Sequence, residues 1–203
     1  MRIYHLLLLL ISIFVASTVI AQDTLTFLDG KTRIGKVLNS TVLITKIEVT
    51  KKKNTKLKEF ESSEIFKINY ASGVSDTLYV RNAEKEFFLT IEEMHFFILG
   101  EQDAIQNYHP RVSAIGGLIF GGVFGYVLND GAYVAGVPLI YTIGSAVSPV
   151  KINNLSNRSV SILSSPAYQE GYIKIARTKK AFYALASSAV GTFFGVIVAH
   201  GSK

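Results

Sequence analysis

The feature that most constrains this chain is a glycine-rich segment at residues 112 to 128, VSAIGGLIFGGVFGYVL, which contains five glycines and no charged residue. Gly117, Gly121 and Gly125 recur at every fourth position, so a helix of 3.6 residues per turn places them along one stripe. In water, each glycine would cost such a helix about 1 kcal/mol relative to alanine. In a bilayer, by contrast, stripes of small residues allow helices to pack closely. The segment is therefore predicted to be a membrane helix.

A second uncharged segment, residues 132 to 147, follows the short sequence Asn129-Asp130-Gly131, which is typical of a tight turn. Two apolar segments this close in sequence are predicted to form an antiparallel helical hairpin over residues 111–148. Each segment is at the short limit for a hydrocarbon core of ~30 Å. The hairpin is therefore expected either to span a thinned bilayer or to enter the membrane and return to the same side. A polar loop is predicted at residues 149–165.

Residues 166–203 are predicted to form one long helix that is amphipathic at first and then crosses the membrane. Pro166 suits the first position of a helix, and residues 181 to 199 form an uncharged run in which Gly191 and Gly195 lie four apart. The predicted helix-packing residues are thus Gly117, Gly121, Gly125, Gly191 and Gly195. The first three are expected to dock on the helix at residues 132 to 147 or on the Gly191 and Gly195 face of the last helix. Aromatic and basic residues before the run are predicted to meet the membrane interface: Tyr168, Tyr172, Lys174, Arg177, Lys179 and Lys180.

The N-terminal part of the chain differs in pattern from the membrane segments. Residues 1–21 have a basic start, an apolar run and a small residue at the end, which is typical of a secretory signal peptide, with an uncleaved anchor as the alternative. In residues 22–89 the apolar period changes to two, as in Leu25 and Phe27, and Asp29-Gly30 predicts a hairpin turn. Five or six short antiparallel strands are expected, forming a small, partly open barrel or roll.

Residues 90–110 are predicted to connect the two parts as a helix. Thr90 and Glu93 have the spacing of a capping box, and Gly100 is expected to interrupt the apolar run that follows, giving one short helix or two joined near that residue. The predicted fold class is therefore an α+β membrane protein. A small antiparallel β roll or barrel comes first, followed by a helical membrane unit made of a hairpin and one long C-terminal helix.

The distribution of charge argues against a nucleic-acid partner. The chain has a net charge of +6, but residues 22 to 110 carry 12 Lys or Arg against 13 Asp or Glu. The excess lies in residues 111 to 203, beside the apolar segments, where basic residues meet anionic lipid head groups. The expected partners are therefore membrane lipid and either a second copy of the chain or another membrane protein bound through the glycine faces. The absence of cysteine excludes disulfides and thiolate sites.

The basic region also creates a conflict over topology. A hairpin returns to the side it left, so the β module and the basic region at residues 151–180 are expected on the same side. Export of the module would then place the basic residues outside, against the positive-inside tendency. An N-terminal anchor with the opposite orientation would obey that tendency, and an outer membrane is a third alternative.

No catalytic, cofactor or metal site is expected. His95, Asp103 and His109 are the only metal constellation that can be drawn, and no two of them lie at i and i+4. Ser164 or Ser165 with Lys174, and His109 with Asp103, form no recognised catalytic motif. The protein is therefore expected not to be an enzyme.

Several short motifs, together with the signal peptide and the glycine-spaced helices, resemble a group of uncharacterised envelope proteins of Gram-negative bacteria. These motifs are DTL at 23–25, DG at 29–30, GKV at 35–37, GEQDA at 100–104, YQEGY at 168–172 and AR at 176–177. The resemblance implies an envelope location, with the β module in the periplasm and the choice of inner or outer membrane left open. It implies no activity.

The expected function is accordingly structural: a membrane protein of the cell envelope with an exported β module and a role in assembly or interaction. The alternative is an oligomeric pore or transport accessory protein with glycine-lined helices around a path. Charged residues would be expected along such a path, and the predicted spans contain none.

Overall fold

The structure is a computed structural model that describes residues 22–51, 54–81, 88–128, 132–152 and 158–202. The predicted signal peptide and the predicted turn at residues 129–131 lie outside the described residues. The chain divides into two compact units. One contains residues 32–79 and the strand before them, and the other contains the residues from Val80 onward together with the short segment Leu28–Lys31.

The first unit is an antiparallel sheet with the strand order β4-β3-β2-β1-β5-β6. Gly30 has a φ of 74°, which supplies the predicted turn between the first two strands. The strands are β1 Asp23–Phe27, β2 Thr32–Ser40, β3 Ile44–Lys51, β4 Asn54–Glu61, β5 Ile65–Asn69 and β6 Ser75–Thr77.

The sheet is open, which corrects the predicted roll or barrel. The two edge strands, β4 and β6, each pair with one neighbour only among the described strands. Strand β6 has three residues, all exposed, and is too short to close a barrel against the eight residues of β4. Strand number and antiparallel pairing agree with the prediction.

Alternating apolar side chains form the core of this unit. Leu25 and Phe27 from β1 pack with residues from β3 and β5, among them Ile47 and Ile68. Asp23 is also buried, and its carboxylate accepts hydrogen bonds from the backbone N–H groups of Val37 and Ala71, both at 2.7 Å. One side chain thus ties the first strand to the segments on both sides of it.

The second unit is helical. Thr90 and Glu93 form the predicted capping box, with the Glu93 N–H donating to Thr90 Oγ1 at 3.2 Å and the Thr90 N–H donating to Glu93 Oε2 at 2.8 Å. The described α-helices are α1 Ile91–Asn107, α2 Arg111–Leu128, α3 Val137–Val147, α4 Val160–Leu163 and α5 Pro166–Gly201, with a 3-10 segment at Ala132–Gly136 before α3. Helix α1 runs through Gly100 without a break, so the expected interruption there is wrong.

Helices α2 and α5 run in the same direction. Gly121 packs against Ser188, and four residues further along α2, Gly125 packs against Thr192, four residues further along α5. Helix α3 runs the opposite way, since Pro138 at its start lies near Ser188 and the residues after its end lie near Lys180. By length and composition, α2 and α5 are the two described helices that are apolar enough to cross a membrane.

Candidate functional site: the helix interfaces and the cavity beside them

Small residues form the interface between α2 and the C-terminal half of α5. Four small residues of α2 are buried: Ser113, Gly117, Gly121 and Gly125. The facing residues of α5 are equally small: Ala184, Ser188, Gly191, Thr192, Gly195 and Ala199. The two backbones therefore approach each other directly.

The contacts at this interface leave no room for a larger residue at the predicted packing glycines. A Cβ atom at Gly121 would collide with the carbonyl oxygen of Ser188, and one at Gly195 would collide with that of Gly122. Gly125 and Gly191 are confined by backbone atoms in the same way, whereas the nearest atom at Gly117 is the hydroxyl of the Ser187 side chain. The structure thus brings all five predicted glycines together in one interface within the chain. An association with another chain through these faces stays a prediction.

The outer surface of the same helices is covered by large apolar side chains. Sixteen such side chains on α2, α3 and the C-terminal half of α5 are between 40% and 67% exposed. They are Ile115, Leu118, Ile119, Val123, Phe124, Val127, Leu139, Ile140, Ile143, Phe182, Leu185, Val190, Phe193, Phe194, Ile197 and Val198. Small residues inside and large apolar residues outside are the reverse of the pattern in a water-soluble bundle.

Two further glycines bring α1 against the N-terminal half of α5. A Cβ atom at Gly100 would collide with the carbonyl oxygen of Tyr168, and one at Gly171 with that of Phe97. Sequence reasoning missed this pair because Gly100 was interpreted as a helix breaker. The available signal was the small-xxx-small spacing of Gly100 and Ala104 in α1.

Asp103 is the centre of a buried polar cluster at the same interface. Its carboxylate accepts two hydrogen bonds from the Arg158 guanidinium, at 2.9 and 3.0 Å, and one from the Tyr168 hydroxyl at 3.0 Å. The hydrogen bonds to Asp103 raise the pKa of Arg158. Asp103 is 6% exposed, so the pairing with Arg158 compensates a charge that would be costly to bury alone.

Glu101, two residues before Asp103 in α1, is a second buried acid. Its side chain is fully buried, and Oε1 accepts a hydrogen bond from Lys174 Nζ at 2.7 Å. Burial raises the pKa of Glu101, and Lys174 offsets part of that rise. Lys174 therefore forms an ion pair with Glu101 of α1, which differs from its predicted role at the membrane interface.

The structure changes the interpretation of the other predicted interface residues. Tyr168 and Tyr172 are fully buried, which corrects the expectation that they contact lipid head groups. They are buried because Gly100 and Gly171 bring α1 over that face of α5. Lys179 Nζ donates to the carbonyl oxygens of Ala104, Ile105 and Tyr108 at the end of α1, and Arg177 is exposed.

A cavity of about 750 Å³ lies between α2, α3 and α5. One part of its wall carries His109 and three cationic side chains, those of Arg111, Lys151 and Lys180. Another part is apolar and includes Phe120, Ile140 and Tyr141. None of the described residues that line the cavity is acidic.

The walls of the cavity are held by specific contacts. The Tyr141 hydroxyl donates to the carbonyl oxygen of Ser113 at 3.0 Å, which fastens α3 to the first turn of α2. Lys180 Nζ donates to the carbonyl oxygen of Ser148 at 3.1 Å and to the hydroxyl of the same residue. Sequence reasoning did not find the cavity, because its residues come from three separate segments.

No group of three or more histidine, aspartate or glutamate residues in the described part of the chain is arranged to hold a metal ion. Asp103, one member of the constellation considered from sequence, is occupied by Arg158 and Tyr168.

Comparison with known protein families, curated proteins and solved structures finds no match to this chain.

Proposed function

We propose that this protein is a non-enzymatic membrane protein of a bacterial cell envelope, in which α2, α3 and the C-terminal half of α5 form the membrane unit. The observation that carries the proposal is the distribution of side chains in these helices, with small residues at the interface and large apolar residues outside. In water this surface would be an apolar patch far larger than those of soluble monomers. In a bilayer, apolar lipid acyl chains cover this surface.

The dimensions of the helices support the same proposal. The 18 residues of α2 extend about 27 Å at 1.5 Å per residue, close to the hydrocarbon thickness of a bilayer. Arg111 lies at one end of this length, and Lys180 precedes the uncharged run of α5. Because α2 and α5 are parallel, these charges belong to the same membrane face.

The parallel pair requires the chain to come back across the membrane between the two spans. The 3-10 segment Ala132–Gly136 and helix α3 provide that return, since α3 runs opposite to α2 and α5. We propose that the β module and the segment before α5 lie on the periplasmic side, where the module takes part in envelope assembly or interaction. The end of α5 then lies on the other side.

Single-cysteine labelling tests this topology, and the absence of native cysteine makes every label specific. Four variants, S72C, S161C, V190C and S202C, are treated with a membrane-impermeant maleimide in sealed vesicles of both orientations. S72C and S161C are expected to react from one side and S202C from the other. V190C, although its side chain is 47% exposed in the structure, is expected to react only after denaturation because lipid covers it.

All four variants must react equally in denaturant. Ready labelling of V190C in intact vesicles, or release of the protein from membranes at high pH, would contradict a membrane-spanning unit. Labelling of S202C from the same side as S161C would contradict the parallel crossing while leaving membrane association intact.

A further inference from the structure

We propose that the cavity between α2, α3 and α5 binds the phosphate head group of an anionic membrane phospholipid. The glycerol and upper acyl chains would lie along its apolar wall. This inference rests on the proposed membrane location. It adds a specific ligand site to a unit otherwise described only as an anchor.

The polar end of the cavity is suited to a phosphate diester. Arg111, Lys151 and Lys180 line it together with His109, and no described lining residue is acidic. The first turn of α2 also lines it, and the N-terminal N–H groups of a helix favour an anion. Basic pockets between membrane helices at the head-group level are typical sites for anionic lipids.

The polar end is preorganised. The ammonium group of Lys180 donates to the carbonyl oxygens of Ser148 and Pro149 and to the Ser148 hydroxyl, and the residue is 8% exposed, so it contributes a fixed positive charge rather than a free donor. The hydroxyl of Ser145 is buried and has no hydrogen-bond partner among the described residues, although its residue lines the cavity. Rotation of this side chain towards the cavity would let a bound phosphate or glycerol oxygen accept its hydrogen bond.

The apolar end explains why the ligand is a lipid rather than free phosphate. Phe120 lies nine residues beyond Arg111 in α2, about 13 Å deeper along the helix axis. Its ring stacks near Tyr141, with a centroid distance of 5.3 Å. Ile140, which is 65% exposed, continues this wall onto the outer apolar surface. The cavity thus has a charged end and an apolar end in the order of a phospholipid.

Lipid retention in nanodiscs tests the site. The full-length protein is reconstituted with equal amounts of phosphatidylglycerol and phosphatidylcholine, then extracted into mild detergent, and retained lipids are counted by native mass spectrometry. Wild type is expected to retain phosphatidylglycerol preferentially. The variant R111Q/K151Q is expected to lower that preference roughly tenfold. The charge-matched variant R33Q/K36Q, at exposed positions of β2 outside the residues that line the cavity, is expected to leave it unchanged.

A cavity-filling variant separates the site from general surface charge. Gly144 lines the cavity, and a Cβ atom there would meet nothing within 4 Å, so Gly144→Leu adds bulk without a clash at the first atom. It keeps all the cations but is expected to reduce retained phosphatidylglycerol to the phosphatidylcholine level. Gly136→Leu is the matched control, because Gly136 is equally open and does not line the cavity.

The outcomes distinguish failure of the lipid site from failure of the membrane location. Incorporation into nanodiscs without any preference for phosphatidylglycerol, or equal retention by wild type and Gly144→Leu, overturns the lipid site alone. Failure to incorporate overturns the membrane proposal and this one with it. Inorganic phosphate is also added to the detergent-solubilised protein. If it displaces no lipid and stabilises wild type and Gly144→Leu equally, it binds outside the cavity, and the lipid site stands. If phosphate binds the cavity and phosphatidylglycerol does not, the proposal is wrong.

Discussion

At the scale of single residues, two neighbouring glycines of α2 differ completely in what surrounds them. A Cβ atom at Gly121 would collide with the Ser188 backbone, which cannot move without shifting α5. A Cβ atom at Gly122 would come no closer than 3.8 Å, to the carbonyl oxygen of Gly191. The same residue type is therefore essential for close packing at one position and optional at the next.

We expect Gly121→Ala to destabilise the helical unit and Gly122→Ala to stabilise it or leave it unchanged. Alanine in place of glycine normally favours a helix by about 1 kcal/mol. At position 121 the added methyl group instead overpacks the interface, which typically costs about 1–3 kcal/mol. Thermal unfolding of the two variants in the same nanodiscs measures the difference. Equal stability of Gly121→Ala and Gly122→Ala would contradict the close approach of α2 and α5.

At the scale of elements, α5 is a shared scaffold of 36 residues whose two halves use different chemistry. Its first half packs against α1 through Gly171 and satisfies the acids of α1, and Lys179 binds the carbonyl groups at the end of that helix. Its second half packs against α2 through small residues. The change from charged to uncharged contacts falls near Lys180, where the proposed membrane unit begins.

The α1 element carries a pH dependence through Glu101. Because burial raises its folded-state pKa above the ordinary value of 4.5, the folded state binds the proton more tightly than the unfolded state. The contribution of protonated Glu101 to the stability of the folded state is fully present below pH 4.5. It is lost as the pH rises through the folded pKa. We expect Glu101→Gln to remove this decline in the free energy of unfolding. At pH values above the folded pKa of Glu101, the variant is then more stable than wild type.

Thermal unfolding of the full chain in detergent, measured in steps from pH 4 upward, gives the comparison. Lys174→Met provides an internal check, because loss of the Lys174 ammonium removes an interaction that lowers the pKa of Glu101. The decline in stability should then extend to higher pH. Parallel curves for wild type and Glu101→Gln would show that Glu101 does not titrate in this way.

At the scale of the whole molecule, the glycine stripes are used within one chain. A homo-oligomer or a pore formed through the same stripes would have to separate α2 from α5. Association with a second copy or with another membrane protein is therefore better sought on the outer apolar surface, where Phe193 and Ile197 are at least half exposed. Conductance in reconstituted bilayers would distinguish a pore from a purely structural role.

Local patterns in the sequence predict most of the strands and helices and their order. Alternation of Leu25 and Phe27, the Asp29-Gly30 turn and the Thr90 capping box are local signals, and each acts within a few residues. The glycine spacing in α2 and α5 also predicted which faces pack closely, because helical periodicity alone puts those glycines on one stripe.

Packing between distant segments sets which stripe meets which, and in what direction the helices run. The local sequence predicts an interruption at Gly100, but α5 packs directly against that glycine. The local sequence also predicts a membrane anchor at Tyr168, but α1 covers that side chain. The open sheet and the basic cavity likewise depend on residues far apart in the chain. Periodicity places a side chain on a face, but the partner of that face is set by packing between distant segments.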